Sequence, residues 1–355
     1  MADKMEIVRV GSRKSELAMI QTNHVVEMLQ KVHPETEFKI VTMETIGDHI
    51  QDKPLASIGE SNLFTKELEK ALALDEVDML VHSLKDMPSR LPSNMAIGAI
   101  CEREDPHDAL VLHKKLTGIS IETMKEGSVL GTSSVRRVAQ LKRKFPHLVF
   151  KDVRGNLNTR LRKLDEGQVY DGLVLAVAGM MRMGWEHRIS QILKPDICKY
   201  SVSQGALGIE IKTKNRRMHE LLRQLNHVPT LIRCIAERGL LKTLEGGCSA
   251  PVAVHSELEE NRLTLNASVL SLDGSELREE EKSITLPQEL TQEHSLDAET
   301  NEEMKLFSSV IAPWVSQHAM QEAEALGVSV AKGLFDKGAG PILEAAKEEI
   351  AERRK

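Results

Sequence analysis

Leu244-Glu-Gly-Gly-Cys248-Ser-Ala-Pro251 is the stretch at which the pattern of this 355-residue chain changes. A helical spacing of apolar residues runs into it from Thr230, and the apolar run Val252-Ala-Val254 leaves it, which predicts a helix-to-strand turn. The glycines allow backbone angles closed to other residues, and Pro251 favours an extended residue before it. A thiol on such a turn is either a presented nucleophile or a buried structural cysteine, and the local sequence leaves both interpretations open.

On the N-terminal side of this turn, strand-like and helix-like segments alternate. Strands are predicted at Ile7-Val10, Phe38-Met43, Val77-His82, Ala96-Ile100, Ala109-His113, Val129-Gly131, Leu148-Val153, Leu173-Ala176 and Gly208-Lys212. Helices are predicted between most of them, including 15–31 and 63–74, the second capped by Ser61 or Asn62. Such alternation is typical of mostly parallel sheets covered by helices.

On the C-terminal side, the pattern is that of an α+β module. Strands are predicted at Val252-His255, Leu263-Leu272 and Ser283-Leu286, and helices over 314–337 and 341–351. Asp273-Gly274 is a turn signal. Residues 287–304 are polar and acidic, which predicts a surface loop. A second loop, Gly47 to Ser61, is either an ordinary surface loop or a lid over a cleft.

Length and composition indicate a soluble, cytoplasmic protein with two or three domains. A chain of 355 residues exceeds one ordinary core, and its 41% apolar and 28% charged residues are typical of globular proteins. No apolar run reaches the ~20 residues that span a bilayer, and no signal peptide is recognised. The four cysteines are far apart without a C-x-x-C pair, so we expect reduced thiols rather than disulfides or a zinc site.

The charge is unevenly placed, although the net charge is only -6. Between Gly131 and Lys163 there are ten basic residues and one acidic residue, whereas the segment from Ser256 to Glu303 holds fourteen acidic residues and three basic ones. Aromatic residues are 3% of the chain, and the acidic third would repel a phosphate backbone, so a nucleic-acid partner is disfavoured. Neither a P-loop nor a dinucleotide fingerprint occurs. A small polycarboxylate suits this distribution better.

Three predicted strand-to-helix junctions carry groups that bind anions. They are Gly11-Ser12-Arg13-Lys14-Ser15, Gly131-Thr132-Ser133-Ser134 followed by Arg136 and Arg137, and Arg154-Gly155-Asn156-Leu-Asn158-Thr159-Arg160. Helix N-termini present free N–H groups, and arginine forks bind carboxylates in pairs of hydrogen bonds. Each junction alone is explained as well by a helix cap with a solvated basic face. Three of them in one α/β body favour a shared anion site, because ligands bind at the carboxyl ends of strands in such sheets.

A further strand is followed by Ser83-Leu84-Lys85-Asp86-Met87-Pro88. Asp86 is either a turn aspartate beside a proline or a carboxylate that points into the basic cleft. In the second case it would stabilise a positive charge that develops on a substrate.

Together these motifs resemble the porphobilinogen deaminase family, whose members are also called hydroxymethylbilane synthases. Further matching stretches are Leu63-Phe-Thr-Lys-Glu-Leu68, Gln204-Gly-Ala-Leu-Gly208 and Glu245-Gly-Gly-Cys-Ser249, and the motifs run in order from about residue 7 to 255. The resemblance implies two hinged, periplasmic-binding-protein-like α/β domains and a smaller C-terminal α+β domain. The implied boundaries are 1–103 with 203–226 for domain 1, 104–202 for domain 2 and 227–355 for domain 3.

The resemblance also implies the chemistry. Four porphobilinogen molecules would be deaminated and condensed head to tail on a covalent dipyrromethane primer, which releases hydroxymethylbilane and ammonia in heme biosynthesis. Asp86 would be catalytic, and Cys248 would hold the cofactor through a thioether. The other implied cofactor-binding residues are Ser83, Lys85, Thr132, Ser133, Ser134, Arg136, Arg137, Arg160, Ala176 and Gln204, with Asp86 among them. The implied substrate-binding residues are Arg13, Ser15, Gln21, Arg154, Asn156 and Arg182. Neither a metal nor a membrane is implied, and a monomer is expected.

Two other classes of protein are open on the residues alone. An anion-binding sensor with two α/β lobes would explain the arginines but would leave Cys248 without a role. A cysteine hydrolase would use Cys248 but needs a histidine as its base. His255 is the histidine nearest to Cys248 in sequence, but it lies several residues away along a predicted strand.

Overall fold

The computed structural model describes residues 6–45, 65–244, 251–292 and 305–352. The strands are β1 (Glu6–Arg13), β2 (Thr36–Met43), β3 (Met79–Ser83), β4 (Met95–Ile100), β5 (Asp108–Leu112), β6 (Val129–Gly131), β7 (Val149–Lys151), β8 (Gly172–Ala176), β9 (Gln191–Leu193), β10 (Leu207–Lys212), β11 (Val252–Glu259), β12 (Arg262–Leu270) and β13 (Leu277–Thr285). The helices are α1 (Glu16–Val32), α2 (Lys66–Ala73), α3 (Val135–Lys144), α4 (Leu157–Glu166), α5 (Val177–Arg182), α6 (Arg216–Leu222), α7 (Val228–Thr243), α8 (Gln317–Asp336) and α9 (Ala339–Glu352). Within these ranges, no helix is long and apolar enough to cross a membrane.

The strands form two five-stranded sheets and one three-stranded sheet. The first has the order β2-β1-β3-β10-β4, the second β7-β6-β8-β5-β9, and the third β11-β12-β13. In each five-stranded sheet four strands run in one direction, and a single strand, β10 or β5, runs against its two neighbours. The third sheet is antiparallel throughout. The predicted α/β body with a smaller α+β module is confirmed.

The two reversed strands lie where the chain passes between the lobes. β5 is the first strand of the second lobe, which contains β5 to β9, and β10 returns the chain to the first lobe, which contains β1 to β4 and β10. The alternation of strands and helices predicts the order of elements but not these directions. The predicted domain boundaries stay a prediction.

The C-terminal domain shares a hydrophobic core with the first lobe. Buried side chains of α7, including Leu231 and Ile235, pack in one cluster with Val330 of α8 and with Ile97 of β4. Residues 309–311 extend the edge of β4, since Ile97 N donates to Ser309 O at 2.8 Å and Ile311 N donates to Ile97 O at 3.0 Å. The core of the second lobe is separate. The C-terminal domain is thus built onto the first lobe.

The first strand is longer than its sequence pattern predicts. β1 continues to Arg13, which pairs with Met43 of the parallel strand β2. The strand passes so close to β3 at Gly11 that a Cβ atom there would lie 2.5 Å from Leu80 Cδ2. Gly11 and Arg13 are therefore strand residues, and Ser15 is the residue that precedes α1.

The C-terminal strands also depart from the prediction. The third strand begins at Leu277 rather than Ser283, because its charged residues hide the apolar alternation. One of them, Lys282, donates to Ser329 O of α8 at 3.0 Å. The three-residue strand β9 was not predicted, and β7 is shorter than the predicted 148–153.

Helix starts differ from the prediction as well. α8 begins at Gln317 rather than Trp314, because Ser316 caps it by accepting from Ala319 N at 3.3 Å. α2 begins at Lys66, and its predicted caps Ser61 and Asn62 lie outside the described residues. So do the candidate lid over 47–61 and most of the predicted acidic loop.

A hairpin turn of the C-terminal domain sits on α3 of the second lobe. The carbonyls of Gly274 and Ser275 accept hydrogen bonds from Arg143 Nη1 at 3.1 and 2.9 Å. Gly274 has φ +78°, as the predicted Asp-Gly turn requires, and a Cβ atom there would lie 2.4 Å from Ala139 O. The turn thus holds the helix that carries Arg136 and Arg137.

This contact predicts the effect of Gly274→Ala. The substitution should lower the free energy of unfolding by about 1–3 kcal/mol more than Gly118→Ala, because only the former adds a clash to the cost of a left-handed backbone. Gly118 has φ +70° with nothing within 4 Å of the added Cβ. Urea unfolding followed by circular dichroism measures both, and equal losses would contradict the contact.

Candidate active site

A buried carboxylate organises the second predicted anion junction. Asp108, the first residue of β5, is fully buried, and its Oδ2 accepts from Arg136 Nη1 at 2.8 Å. Its Oδ1 accepts from Arg137 Nη2 at 2.6 Å and from Gln204 Nε2 at 2.8 Å. Arg136 and Arg137 lie in the first turn of α3. The structure therefore joins both arginines and Gln204 through a residue that no sequence motif indicated.

Lys85 extends this network towards Asp86. Both residues lie in a short 3-10 turn after β3, and Lys85 Nζ donates to Gln204 Oε1 at 3.1 Å. Burial lowers the pKa of Lys85 to about 8, with further lowering by Arg137 and Arg136, although Asp86 and Asp108 oppose the shift. Lys85 thus lies in a region with an excess of positive charge, and the carboxylate of Asp86 is beside it.

The third junction adds two more arginines to the same region. Arg160 Nε donates to Gly155 O at 2.8 Å, and Gly155 takes φ +107° in the turn before α4. Burial lowers the pKa of Arg160 to about 10, and the charges of Arg137 and Arg154 lower it further. The pKa of Arg154 is also lowered by burial.

We call Lys85, Arg136, Arg137, Arg154 and Arg160 the cationic cluster. Three carboxylates act on its members: Asp86, Asp108 and, on Arg154, Asp152. Five cations thus face three carboxylates. The sequence predicted this set of cations, and the structure brings them together from the turn after β3, the start of α3, and α4 with the loop before it.

The hydroxyl groups before α3 bind the backbone. Ser133 Oγ donates to Val153 O at 2.8 Å and accepts from Val153 N at 3.2 Å, which ties the second junction to the residue before Arg154. Thr132 Oγ1 accepts from Ser134 N at 3.3 Å. Ala176, at the end of β8, pairs with Asp108 across the sheet.

The predicted substrate residues of the first lobe lie near α1. Gln21 and Ser83 hydrogen bond through their side chains at 2.9 Å. Asn158 of α4 hydrogen bonds to the carboxylate of Glu16, next to Ser15. The starts of α1 and α4, which are preceded by Ser15 and Asn156, therefore meet between the two lobes.

Arg182, the last residue of α5, reaches the loop that carries Gln204. Its Nη2 donates to Gly205 O at 2.6 Å, and burial lowers its pKa. Arg13 ends β1, two residues before the cap of α1. The predicted residues thus lie in two regions of the structure. One is the cationic cluster, and the other is where the starts of α1 and α4 meet.

Sequence reasoning missed a second buried ion pair that holds the Gln204 loop. Arg103 donates to Glu237 of α7 at 2.6 and 3.1 Å and, through Nε, to Gln204 O at 2.7 Å. Glu237 also accepts from Ser203 N at 2.6 Å. Although burial opposes it, Arg103 holds the pKa of Glu237 below its usual range. The available signal was the charged pair Glu237-Arg238, which stands between two apolar runs of the same helix.

Cys248 lies outside the described residues, as do its neighbours from 245 to 250. The residues on either side, Leu244 and Pro251, are both buried. The other cysteines are buried and not in disulfides, and burial raises the pKa of Cys101 and Cys198 to about 12 and that of Cys234 to about 11. Burial and a raised pKa both disfavour the thiolate, the reactive form, at these three cysteines.

Two sequence-family models match the chain. One, described as porphobilinogen deaminase, dipyromethane cofactor binding domain, matches residues 8–220, and the other, porphobilinogen deaminase, C-terminal domain, matches residues 231–336. The chain belongs to the porphobilinogen deaminase family. It is accordingly an enzyme of tetrapyrrole biosynthesis with a dipyrromethane cofactor, and the family predicted from the motifs is confirmed.

Curated porphobilinogen deaminases are similar over most of the chain. That of Synechococcus elongatus is 51% identical over 276 residues, which cover 78% of this chain and 86% of that protein. That of Nostoc sp. is 45% identical over 343 residues, which cover 97% of this chain and 95% of that protein. Among solved structures, the periplasmic VFT2 domain of Bordetella pertussis BvgS is 13% identical, with a TM-score of 0.38 over 61% of this chain and 86% of that one.

The Arg103–Glu237 pair predicts a stability change in Glu237→Gln. The deaminase should lose about 3–5 kcal/mol of unfolding free energy, because a buried guanidinium loses its counterion. Since the pKa of Glu237 is depressed, this difference is fully present above about pH 4.5 and shrinks as the pH falls through the range in which the folded-state carboxyl titrates.

The control is Glu257→Gln, which removes an exposed carboxylate of β11 that lies 3.5 Å from His255 of the same strand. It should change the unfolding free energy by less than about 1 kcal/mol. Urea unfolding at pH 7 and in acid measures both variants, and a Glu237→Gln protein as stable as this control would refute the role of the pair.

Proposed function

We propose that the cationic cluster binds the acetate and propionate carboxylates of the dipyrromethane cofactor and of the chain that grows on it. The observation that carries this proposal is the unbalanced charge of the site. Five cations face three carboxylates, and the pKa values of Lys85 and Arg160 are lowered to about 8 and about 10. Each pyrrole ring of the substrate brings two carboxylates, which would restore the balance. Charge-assisted hydrogen bonds contribute roughly 1.5–3 kcal/mol each.

A buried donor also supports the fit of an anionic group. Arg137 Nε is buried and has no hydrogen-bond partner among the described residues. A buried donor without a partner costs about 1–3 kcal/mol. A carboxylate oxygen of the cofactor would supply the acceptor and recover that cost.

The catalytic role proposed for Asp86 follows from its place beside Lys85 and within the electrostatic reach of Arg160. When bound, the dipyrromethane would supply a nucleophilic pyrrole carbon to which substrate units are added. Asp86 would accept hydrogen bonds from pyrrole N–H groups and stabilise the positive charge that develops as ammonia leaves the substrate. Lys85 and the arginines would orient the carboxylates and keep the reacting ring in place.

The remaining assignments follow the placement of the residues. Cys248 would form the thioether, since a thiolate is a soft nucleophile suited to a methylene carbon. Further cofactor contacts are proposed for Ser83, Thr132, Ser133, Ser134, Ala176 and Gln204. The meeting helix starts of the two lobes would bind the incoming porphobilinogen, with Arg13, Ser15, Gln21, Asn156 and Arg182 as its contacts, together with Arg154.

We further propose that the enzyme acts as a monomer in the cytoplasm. Its exposed large apolar side chains are spread over both lobes and the C-terminal domain, and three of its thiols are not in disulfides. Sedimentation equilibrium at micromolar concentration should give the mass of one 39.6 kDa chain with its cofactor. A dimer mass would refute this part of the proposal.

The first test of the catalytic assignment is Asp86→Asn. The variant should retain the covalent cofactor, while the rate of product formation falls by about 10²–10³-fold, because an amide cannot stabilise the developing cation as a carboxylate does. Intact-mass measurement and a turnover assay provide the two readouts. Asp196→Asn, which alters an exposed carboxylate 3.4 Å from Lys144, is the control and should behave as wild type. Wild-type turnover in Asp86→Asn would remove Asp86 from the mechanism.

The attachment at Cys248 predicts the mass and thiol count of the purified enzyme. The mass should exceed that of the unmodified chain by two pyrrole units, and three of the four cysteines should react with a thiol reagent after denaturation. Cys248→Ser should lack the added mass and still show three thiols. Cys101→Ser, a change at a buried cysteine, should keep the added mass and show two. Four reactive thiols in active enzyme would exclude the thioether.

A further inference from the structure

We propose that Asp108 is a positioning residue for the cofactor: its buried carboxylate fixes the guanidinium groups of Arg136 and Arg137 so that their remaining donors meet the cofactor carboxylates. The inference rests on the function proposed for the cationic cluster. It concerns a fully buried residue whose two carboxylate oxygens both accept hydrogen bonds from protein donors. Asp108 would therefore act only through its partners.

The geometry around Asp108 restrains both arginines at two points. Arg136 Nη1 donates to Asp108 and also to Lys199 O at 2.6 Å. Arg137 donates to Asp108 through Nη2 and to Val174 O through Nη1 at 2.8 Å. A planar guanidinium held by two acceptors has little rotational freedom. The orientation in which Arg137 Nε lacks a partner is therefore set by these contacts.

The negative charge of Asp108 contributes to the site as much as its hydrogen-bond geometry does. Although burial opposes it, Arg136 and Arg137 hold the pKa of Asp108 well below its usual range, so the group stays ionised. Asp108 in turn raises the pKa of Arg136 against burial. One carboxylate between two guanidinium groups prevents their mutual repulsion and still leaves one positive charge in excess. That excess is what a ligand carboxylate would neutralise.

The influence of Asp108 extends to the residue beside Asp86. Gln204 donates to Asp108 through Nε2 and accepts from Lys85 Nζ through Oε1. Gln204 Nε2 also donates to Pro106 O at 2.7 Å, so Asp108 and this carbonyl together orient the amide. A neutral residue at 108 would weaken one of these two restraints on the amide that binds Lys85.

The test uses Asp108→Asn, with Asp165→Asn as a matched control. Asp165 lies in the same lobe and binds Arg188 through both carboxylate oxygens at 2.8 Å, away from the cationic cluster. The fraction of chains that carry the cofactor, measured by intact mass, should fall in Asp108→Asn only. Among loaded chains, kcat should fall by about 10–100-fold with KM for porphobilinogen little changed, because a misplaced primer slows the reaction more than substrate binding. Asp165→Asn should match wild type in loading, kcat and KM.

A double-substitution cycle separates positioning from a general structural effect. Because Asp108 acts in part through Arg137, the loss of kcat in Asp108→Asn combined with Arg137→Gln should be clearly smaller than the product of the two single losses. Independent effects would instead multiply. The double variant loses one negative and one positive charge, so the site keeps its wild-type net charge. The test therefore remains usable if Asp108→Asn alone does not fold.

Two results would overturn the inference: a fully loaded Asp108→Asn enzyme with wild-type kcat, or losses that multiply in the double variant. Failure of the underlying proposed function has a different signature. In that case wild-type protein itself would lack the mass of two pyrrole units.

Discussion

The site depends on how one buried carboxylate balances two buried guanidinium groups. Asp108 enters from the first strand of the second lobe, and Arg136 and Arg137 enter from the helix beside it. Burying an unpaired charge costs several kcal/mol, so these groups hold one another in place. The positive charges in this region outnumber the negative ones, since further cations surround Asp108 and its two arginines. Under the proposed function, the carboxylates of the cofactor would neutralise the remaining positive charge, which would couple cofactor binding to the charge balance of the folded protein.

The C-terminal domain supports this arrangement from two directions. It shares a core with the first lobe, and its α7 supplies Glu237, which holds Arg103 and the backbone around Gln204. Its hairpin turn at Gly274 meets α3, the helix of the two arginines. The C-terminal domain thus contacts the elements that position the cationic cluster.

Much of the site could be predicted because its motifs are local. The residue types of an anion site occur together at the junctions, so Arg136, Arg137, Arg154 and Arg160 were found from short stretches of sequence. Their partners were not found, because Asp108 is 28 residues from Arg136 in the chain and only the pairing of the folded elements brings the two together. The same holds for Arg103 and Glu237, which are 134 residues apart.

The sequence by itself determined the order of strands and helices, the change of pattern at the cysteine turn, the family and the cationic residues. Each of these features depends on residues that are close together in the chain. The tertiary structure decided the direction of β5 and β10, the extension of β13 and the partners of the buried charges. These features depend on contacts between distant segments. Hydrogen bonding and charge balance are satisfied only when the segments meet, so no single stretch of the chain encodes them.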